Sequence, residues 1–525
     1  SPQPSPAAAG EGEDWRNCWR YDPSMPIPEQ VRNRRFYFRP EELPEEARTM
    51  LAKMLTVQLQ SEYGDAPDRS GAVCPTVEDK TWLDLQLSQE KEHGLGVSLM
   101  LRSLGVDPTE YIKEAEASIA AGARKLDYFR KRMEDWVERT MTRVLAERTG
   151  AIQTVAGLGT WYVPLALWHA KNYKDEALGH TVMGVAYAQR LMDEGRAVEC
   201  QQATDKFYPW CLDIFGGVGT PNERKYLDTG IKTLTNNQTR KLWIRSLQRD
   251  LDTLGLRLPA DAWQGDRQRY PEEAGDPVAV YLDVDEAPAE VKPWLVKLLR
   301  VWVQAKYARQ SDPILFAAPT PEQKVETGHQ LRDERAFGLQ LARMLRGLGE
   351  DPDPVADEAE RTLEGGRWKV EFLKQSLSYD WAECCVQQLL ATRANAIASL
   401  ASFGSCLAPL GAWAGQHYTF QADTCELWKA RCRAIPERND LQAALDSWYP
   451  HAVDVFGAEG SANEERYCEL GIKTAQNAHL RQIFVDFIAQ DLAELGLKAP
   501  DLYQGARASY LPFARPEKAA AATAA

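Results

Sequence analysis

Two of the seven histidines in this sequence stand about one helical turn from a glutamate. In Glu90-Lys-Glu-His93 the step of three places a carboxylate and an imidazole on one face of a helix. Glu176 and His180 are four apart, which still shares a face in a regular helix. A local π-bulge that absorbs one extra residue is the alternative. Each pair is preceded by one more glutamate at nearly the same distance: Glu62 lies 28 residues before Glu90, and Glu147 lies 29 residues before Glu176. The order carboxylate, then carboxylate with imidazole, therefore occurs twice. Carboxylate and imidazole donors of this kind suit iron or manganese better than copper or a thiolate-bound metal. A lone glutamate on a helix, or a lone ExxH, is ordinarily solvated surface. The repeated order is what points to a dinuclear centre built from Glu62, Glu90, His93, Glu147, Glu176 and His180. His169 reads as a structural or supporting histidine, and Glu134-Asp135 as surface charge at a helix start.

These residues need long helices to bring them together. Residues 43–63, 78–104, 109–150 and 160–195 carry apolar positions at three- and four-residue spacing with few internal prolines. Pro164 marks a kink or a start. β-Branched alternation is scarce, so the fold class expected is all-α. A bundle in which two helices each give one carboxylate, and two others each give a Glu-His pair, is the ferritin-like arrangement.

The chain also repeats itself. FGGVGTPNERKYLDTGIKTLTNNQTRKLW from Phe215 returns as FGAEGSANEERYCELGIKTAQNAHLRQIF from Phe456, and LMLRSLGVDP returns as ARMLRGLGEDP. Trp136 corresponds to Trp381. Two tandem ferritin-like bundles forming a pseudo-dimer are expected: an N-terminal tail over 1–40, a bundle with the metal site over 41–262, a linker over 263–288, a degenerate bundle over 289–510 and a C-terminal tail over 511–525. Aligned through the repeat, Glu62 becomes Lys306, His93 becomes Phe337, Glu147 becomes Thr392, Glu176 becomes Gln421 and His180 becomes Cys425, while Glu90 persists as Glu334. The second copy is expected to hold no metal and to serve as scaffold, docking surface or cavity wall, since a bare cluster of buried carboxylates is costly without a cation.

The motifs SEYG around Glu62, EKEHG with LRSLGVD, AERTGAIQ around Glu147, KDEALGH, and the FGGVGTPNERKYLDTGIKTLTNNQTRKLW tail resemble the phenylacetic acid catabolic family. These are the ferritin-like oxygenase subunits of phenylacetyl-CoA epoxidase; benzoyl-CoA epoxidase is a more distant relative. The resemblance covers about residues 40–260, and again about 285–505. It implies a catalytic subunit fused to a related subunit that has lost its metal. The family's ligands map onto the six residues named above. In this chain Glu147 stands where the family commonly has Asp, Gln86 stands where it has a lysine, and the second pair carries one extra residue.

The resemblance implies two iron ions with O₂ as co-substrate, and a mono-oxygenase that epoxidises or hydroxylates an aromatic or acyl substrate, a CoA thioester among the candidates. A biosynthetic di-iron oxygenase acting on a free amino acid, an amine or a carrier-bound intermediate is the alternative enzyme. A non-catalytic metal-binding or structural protein is the other alternative. No GxGxxG follows a strand and no ferredoxin-like cysteine spacing occurs, so a separate reductase is expected as partner. Ten scattered cysteines without a CxxC pair fit a reducing cytoplasm. The net charge of −14 is spread along the chain and argues against nucleic acid or an anionic membrane as partner. No apolar run is long enough to span a bilayer. SPQPSPAAAGEGED has neither a basic region nor an apolar stretch and reads as a flexible tail rather than a secretory signal. Self-association into a homo-oligomer is left open.

Overall fold

The computed structural model describes residues 31, 34–64, 74–120, 135–259, 280–307, 312–364, 380–457 and 460–500. The expected C-terminal tail lies outside the described residues, as do 1–30 of the N-terminal tail and 263–279 of the linker. The chain forms two compact units, Arg35–Val280, and Tyr281–Ala525 together with Ser1–Arg34. Among the described residues the fold is all-α, with two isolated β-bridges and no strand. No described helix is long and apolar enough to cross a membrane, and the described cysteines are all free.

The first unit runs through α1 (Glu45–Tyr63), α2 (Val77–Ser103), α3 (Thr109–Ala120), α4 (Trp136–Gly157) and α5 (Val163–Tyr173). A π-helical segment, Lys174–His180, leads without a break into α6 (Thr181–Asp193). Three helices follow: α7 (Ala197–Asp213), α8 (Pro221–Asp228) and α9 (Asn236–Thr253). α1 packs on α2, α4 packs on the π segment and α6, and α2 meets α5, which closes a ferritin-like four-helix bundle.

Local chemistry sets the ends of these helices. The Thr76 hydroxyl accepts the Asp79 amide at 3.1 Å and starts α2. The Asp135 carboxylate accepts the Glu138 amide at 2.9 Å, so a new helix begins there. The sequence reading of one helix over 109–150 is corrected on this point. α4 also runs on to Gly157, past the expected end at 150. Pro164 lies in the first turn of α5, where a missing N–H leaves no hydrogen bond unmade. Along α1 the buried stripe Leu51, Leu55, Leu59 faces Val97 and Leu101 of α2. The next inward position of that stripe is Glu62.

The second unit contains α10 (Lys292–Tyr307), α11 (Asp312–Ala317), α12 (Pro321–Gly347), α13 (Asp353–Glu364), α14 (Trp381–Ser399), α15 (Ala408–Ala434), α16 (Arg438–Asp454), α17 (Ala462–Glu469) and α18 (Asn477–Leu495). It uses the hydrogen bonds of the first. Trp168 Nε1 donates to the His93 carbonyl at 3.1 Å, and Trp413 Nε1 donates to that of Phe337 at 3.1 Å. Arg148 forks onto Asp250 at 2.8 and 2.9 Å, and Arg393 onto Asp491 at 2.8 and 3.0 Å. Gln201 exchanges two backbone bonds with Arg257, and Gln442 does so with Lys498.

One helix differs. Val163–Asp193, which includes the π segment, holds four residues more than the uninterrupted α15. The extra residues fall between Trp168, which matches Trp413, and Tyr187, whose ring contact with Trp136 (5.6 Å between centroids) matches that of Trp428 with Trp381 (5.8 Å).

Candidate metal centre

The bundle gathers all six sequence-predicted residues. Glu62 arrives from the last turn of α1, Glu90 and His93 from the middle of α2, Glu147 from α4, and Glu176 and His180 from the π segment. Two groups of donor atoms form, Glu62–Glu90–His93 and Glu90–Glu147–His180, each with its atoms within 4.8 Å of one another. Glu90 belongs to both. His93 Nδ1 faces Glu176 Oε1 at 3.1 Å, Glu90 Oε2 at 3.6 Å and Glu62 Oε2 at 3.9 Å. His180 Nδ1 faces Glu90 Oε1 and Glu147 Oε2, both at 3.5 Å, and Glu176 Oε2 at 3.9 Å. The second pair was left open between a regular helix and a bulge; the observed segment is π-helical.

Groups among the six shift one another strongly. Burial, then the neighbouring Glu90 charge, pushes the Glu62 carboxyl well above its usual range, and the same causes raise Glu176. Glu90 is held at about 2: burial opposes its ionisation, but the His93 hydrogen bond and the His180 charge outweigh it. His93 is raised to about 11 and His180 to about 9, against burial, by their bonds to Glu176 and Glu90 and to Glu147. Both inward Nδ1 atoms are buried and face these carboxylates at 3.1 to 3.9 Å. Four carboxylates with two neutral imidazoles also match the charge of two divalent ions. The residues present fit a dinuclear centre whose binding releases protons.

Several contacts to the six residues went unrecognised in the sequence. The residue before each paired glutamate reaches across to the other pair's histidine. Gln89 Oε1 lies 3.0 Å from His180 Nε2, and Asp175 Oδ2 lies 3.5 Å from His93 Nε2. Gln58 Nε2 donates to Glu62 Oε1 at 2.5 Å, and Gln86 Nε2 donates to Glu147 Oε1 at 2.5 Å. Gly150, one turn after Glu147 in the AERTG run, leaves room for Glu176: a Cβ there would lie 2.7 Å from Glu176 Oε2. At Gly94 a Cβ would lie 2.5 Å from the Tyr63 ring, so glycine lets α1 and α2 approach. The signal available in sequence was the shared position of Gln89 and Asp175 directly before Glu90 and Glu176. His169 is buried beside Trp168, and burial lowers it to about 3. Asp135 is exposed at a helix start, as expected, and its side chain also caps that helix; Glu134 lies outside the described residues.

In the second unit the equivalent place is filled differently. Lys306 Nζ donates to Glu334 Oε2 at 2.6 Å and lies against His417 Nε2. His417 Nδ1 pairs with Ser399 Oγ at 2.8 Å, and Gln421 Nε2 bonds both Glu334 and His417. Phe337 packs edge-on against His417 at 5.2 Å. By these contacts the place of Glu176 is taken by His417 and that of His180 by Gln421. This corrects the sequence alignment, which paired them with Gln421 and Cys425. The cause is the four-residue difference in the helix. Cys425 lies deeper, near the Leu389 carbonyl. An ammonium thus occupies the space between carboxylate and imidazole, and among the described residues no group of metal donors forms in this unit.

An all-α bundle with paired carboxylate–imidazole groups on facing helices defines a ferritin-like protein with a candidate dinuclear metal centre. The family profile of the phenylacetic acid catabolic proteins matches residues 317–511. That match takes in most of the second unit and none of the six residues, and it suggests a ferritin-like di-iron oxygenase. No curated protein matches the chain.

Proposed function

We propose that this chain is a di-iron mono-oxygenase. On this reading Arg35–Val280 holds both ions, and the unit from Tyr281 is a duplicated copy that has exchanged its metal for Lys306. The observation that carries the reading is the convergence of six residues from distant parts of the chain on one buried point, with Glu90 common to both donor groups. The hydrogen bonds repeated between the units support duplication, and the family match to the second unit supports the oxygenase class.

Iron bound there would supply the activation of O₂ for insertion of one oxygen atom into substrate. The protein's share is positional. Glu62, Glu90, His93, Glu147, Glu176 and His180 would hold the two ions, with Glu90 common to both donor groups and both imidazoles turned inward through Nδ1. Gln58 and Gln86 hold Glu62 and Glu147 in orientation. Burial of Glu62, His93, Glu176 and His180 keeps bulk water out. The proposed substrate is an aromatic or acyl compound, with CoA thioesters as the first class to test, and electrons are proposed to come from a separate reductase.

The test is iron analysis, then anaerobic reduction and O₂ exposure with acyl-CoA thioesters. Two irons per chain and O₂ uptake coupled to an oxygenated thioester are expected. Four irons per chain would contradict a metal-free second unit. Coupled turnover of free amines or amino acids alone would move the assignment to a biosynthetic oxygenase. Iron uptake without coupled turnover would leave a metal-binding protein.

A further inference from the structure

We infer that Asp175 and Gln89 are positioning residues that make the two metal positions electronically unequal, so that the ion on the His180 side is reduced first. This rests on the di-iron reading above. Both histidines turn Nδ1 inward to the carboxylates and Nε2 outward. With Nδ1 on the metal, Nε2 carries the hydrogen and needs an acceptor. For His93 the group facing Nε2 is a carboxylate, Asp175, at 3.5 Å, an ion-pair approach rather than a formed hydrogen bond, so its influence is that of a nearby negative charge. For His180 it is a neutral amide oxygen, that of Gln89, at 3.0 Å. The two groups are joined, because Gln89 Nε2 donates to Asp175 Oδ1 at 3.0 Å. That bond fixes which end of the amide points at His180: its NH₂ is engaged by Asp175, so its oxygen faces the ring. Asp175 therefore acts on His93 directly and on His180 through Gln89.

A carboxylate facing an imidazole N–H makes the ring a more basic ligand than an amide does. It also adds a negative charge on the His93 side, partly shielded because the Asp175 side chain is 31 % exposed. Both effects favour the higher charge on the ion bound by His93. The ion bound by His180 is left as the easier one to reduce.

The experiment uses the full chain loaded with iron, titrated with dithionite and mediator dyes and followed by EPR of the one-electron-reduced state, with iron counted in every sample. Wild type should show two separate one-electron steps. Asp175→Asn should move the second, lower potential upward and narrow the gap, with Asp175→Glu restoring it. Gln89→Glu should move the first, higher potential downward. Opposite signs from the two sides are the signature, since a purely structural disturbance has no reason to produce them. Two irons per chain with unchanged potentials in both variants would overturn the inference and leave the di-iron reading standing. Absence of iron from the wild type would instead remove the reading beneath it.

Discussion

Gly150→Ala separates metal binding from folding. The residue lies within α4, and alanine is favoured over glycine inside a helix by about 1 kcal/mol. The only group a Cβ would crowd is the Glu176 carboxylate, at 2.7 Å from Oε2, where ordinary contact begins near 3.4 Å. A carboxylate at the end of a flexible side chain can yield that distance, about 0.7 Å, at little cost to stability. As a metal ligand it cannot, because ligand distances hold to within about 0.2 Å. The apo variant should therefore melt at or above the wild-type temperature while its iron affinity falls roughly 10–100-fold, the range lost when a ligand's orientation is disturbed. Thermal melts of the apo protein with iron titration of the same samples give both quantities. A Gly150→Ala protein that binds two irons with wild-type affinity would refute the placement of Glu176 in the centre.

Glu90→Ala removes the carboxylate common to both donor groups and should bring the iron count by elemental analysis from two towards none, whereas Glu334→Ala should leave it at two. Lys306→Met strips the buried Glu334 of its cation and should cost about 3–5 kcal/mol in denaturant unfolding; adding Glu334→Gln should recover most of that. His169 supplies a pH dependence. Its folded value of about 3 lies below the roughly 6.5 of an unfolded histidine. The unfolded chain then binds the extra proton first, so this contribution is present above pH 6.5 and is lost as pH falls towards 3. His169→Phe should flatten the decline of apo-protein stability between those values.

The clustering of the six candidate residues was legible because few residue types bind hard cations and a bundle brings them together only at helical spacing. Helix existence was legible for the same reason of periodicity. The break at Asp135 was not, since apolar spacing continues across it and only the cap reveals the new start. The exchange of His417 and Gln421 for Glu176 and His180 was hidden by register. Trp168 and Trp413 align at one offset and Tyr187 and Trp428 at another, and nothing in the letters says where between them the shift falls. Gln89 and Asp175 escaped notice because each serves the histidine of a different helix, a relation that only packing creates.

The π segment has a further consequence. A wide turn inside a long helix can migrate by one residue through exchange of neighbouring backbone bonds, with no unwinding at either end. Asp175 and Glu176 both ride on this one. Such a migration would carry Glu176 and Asp175, which faces His93, in a single stroke, whereas α15 of the second unit is uninterrupted and has no such turn to move.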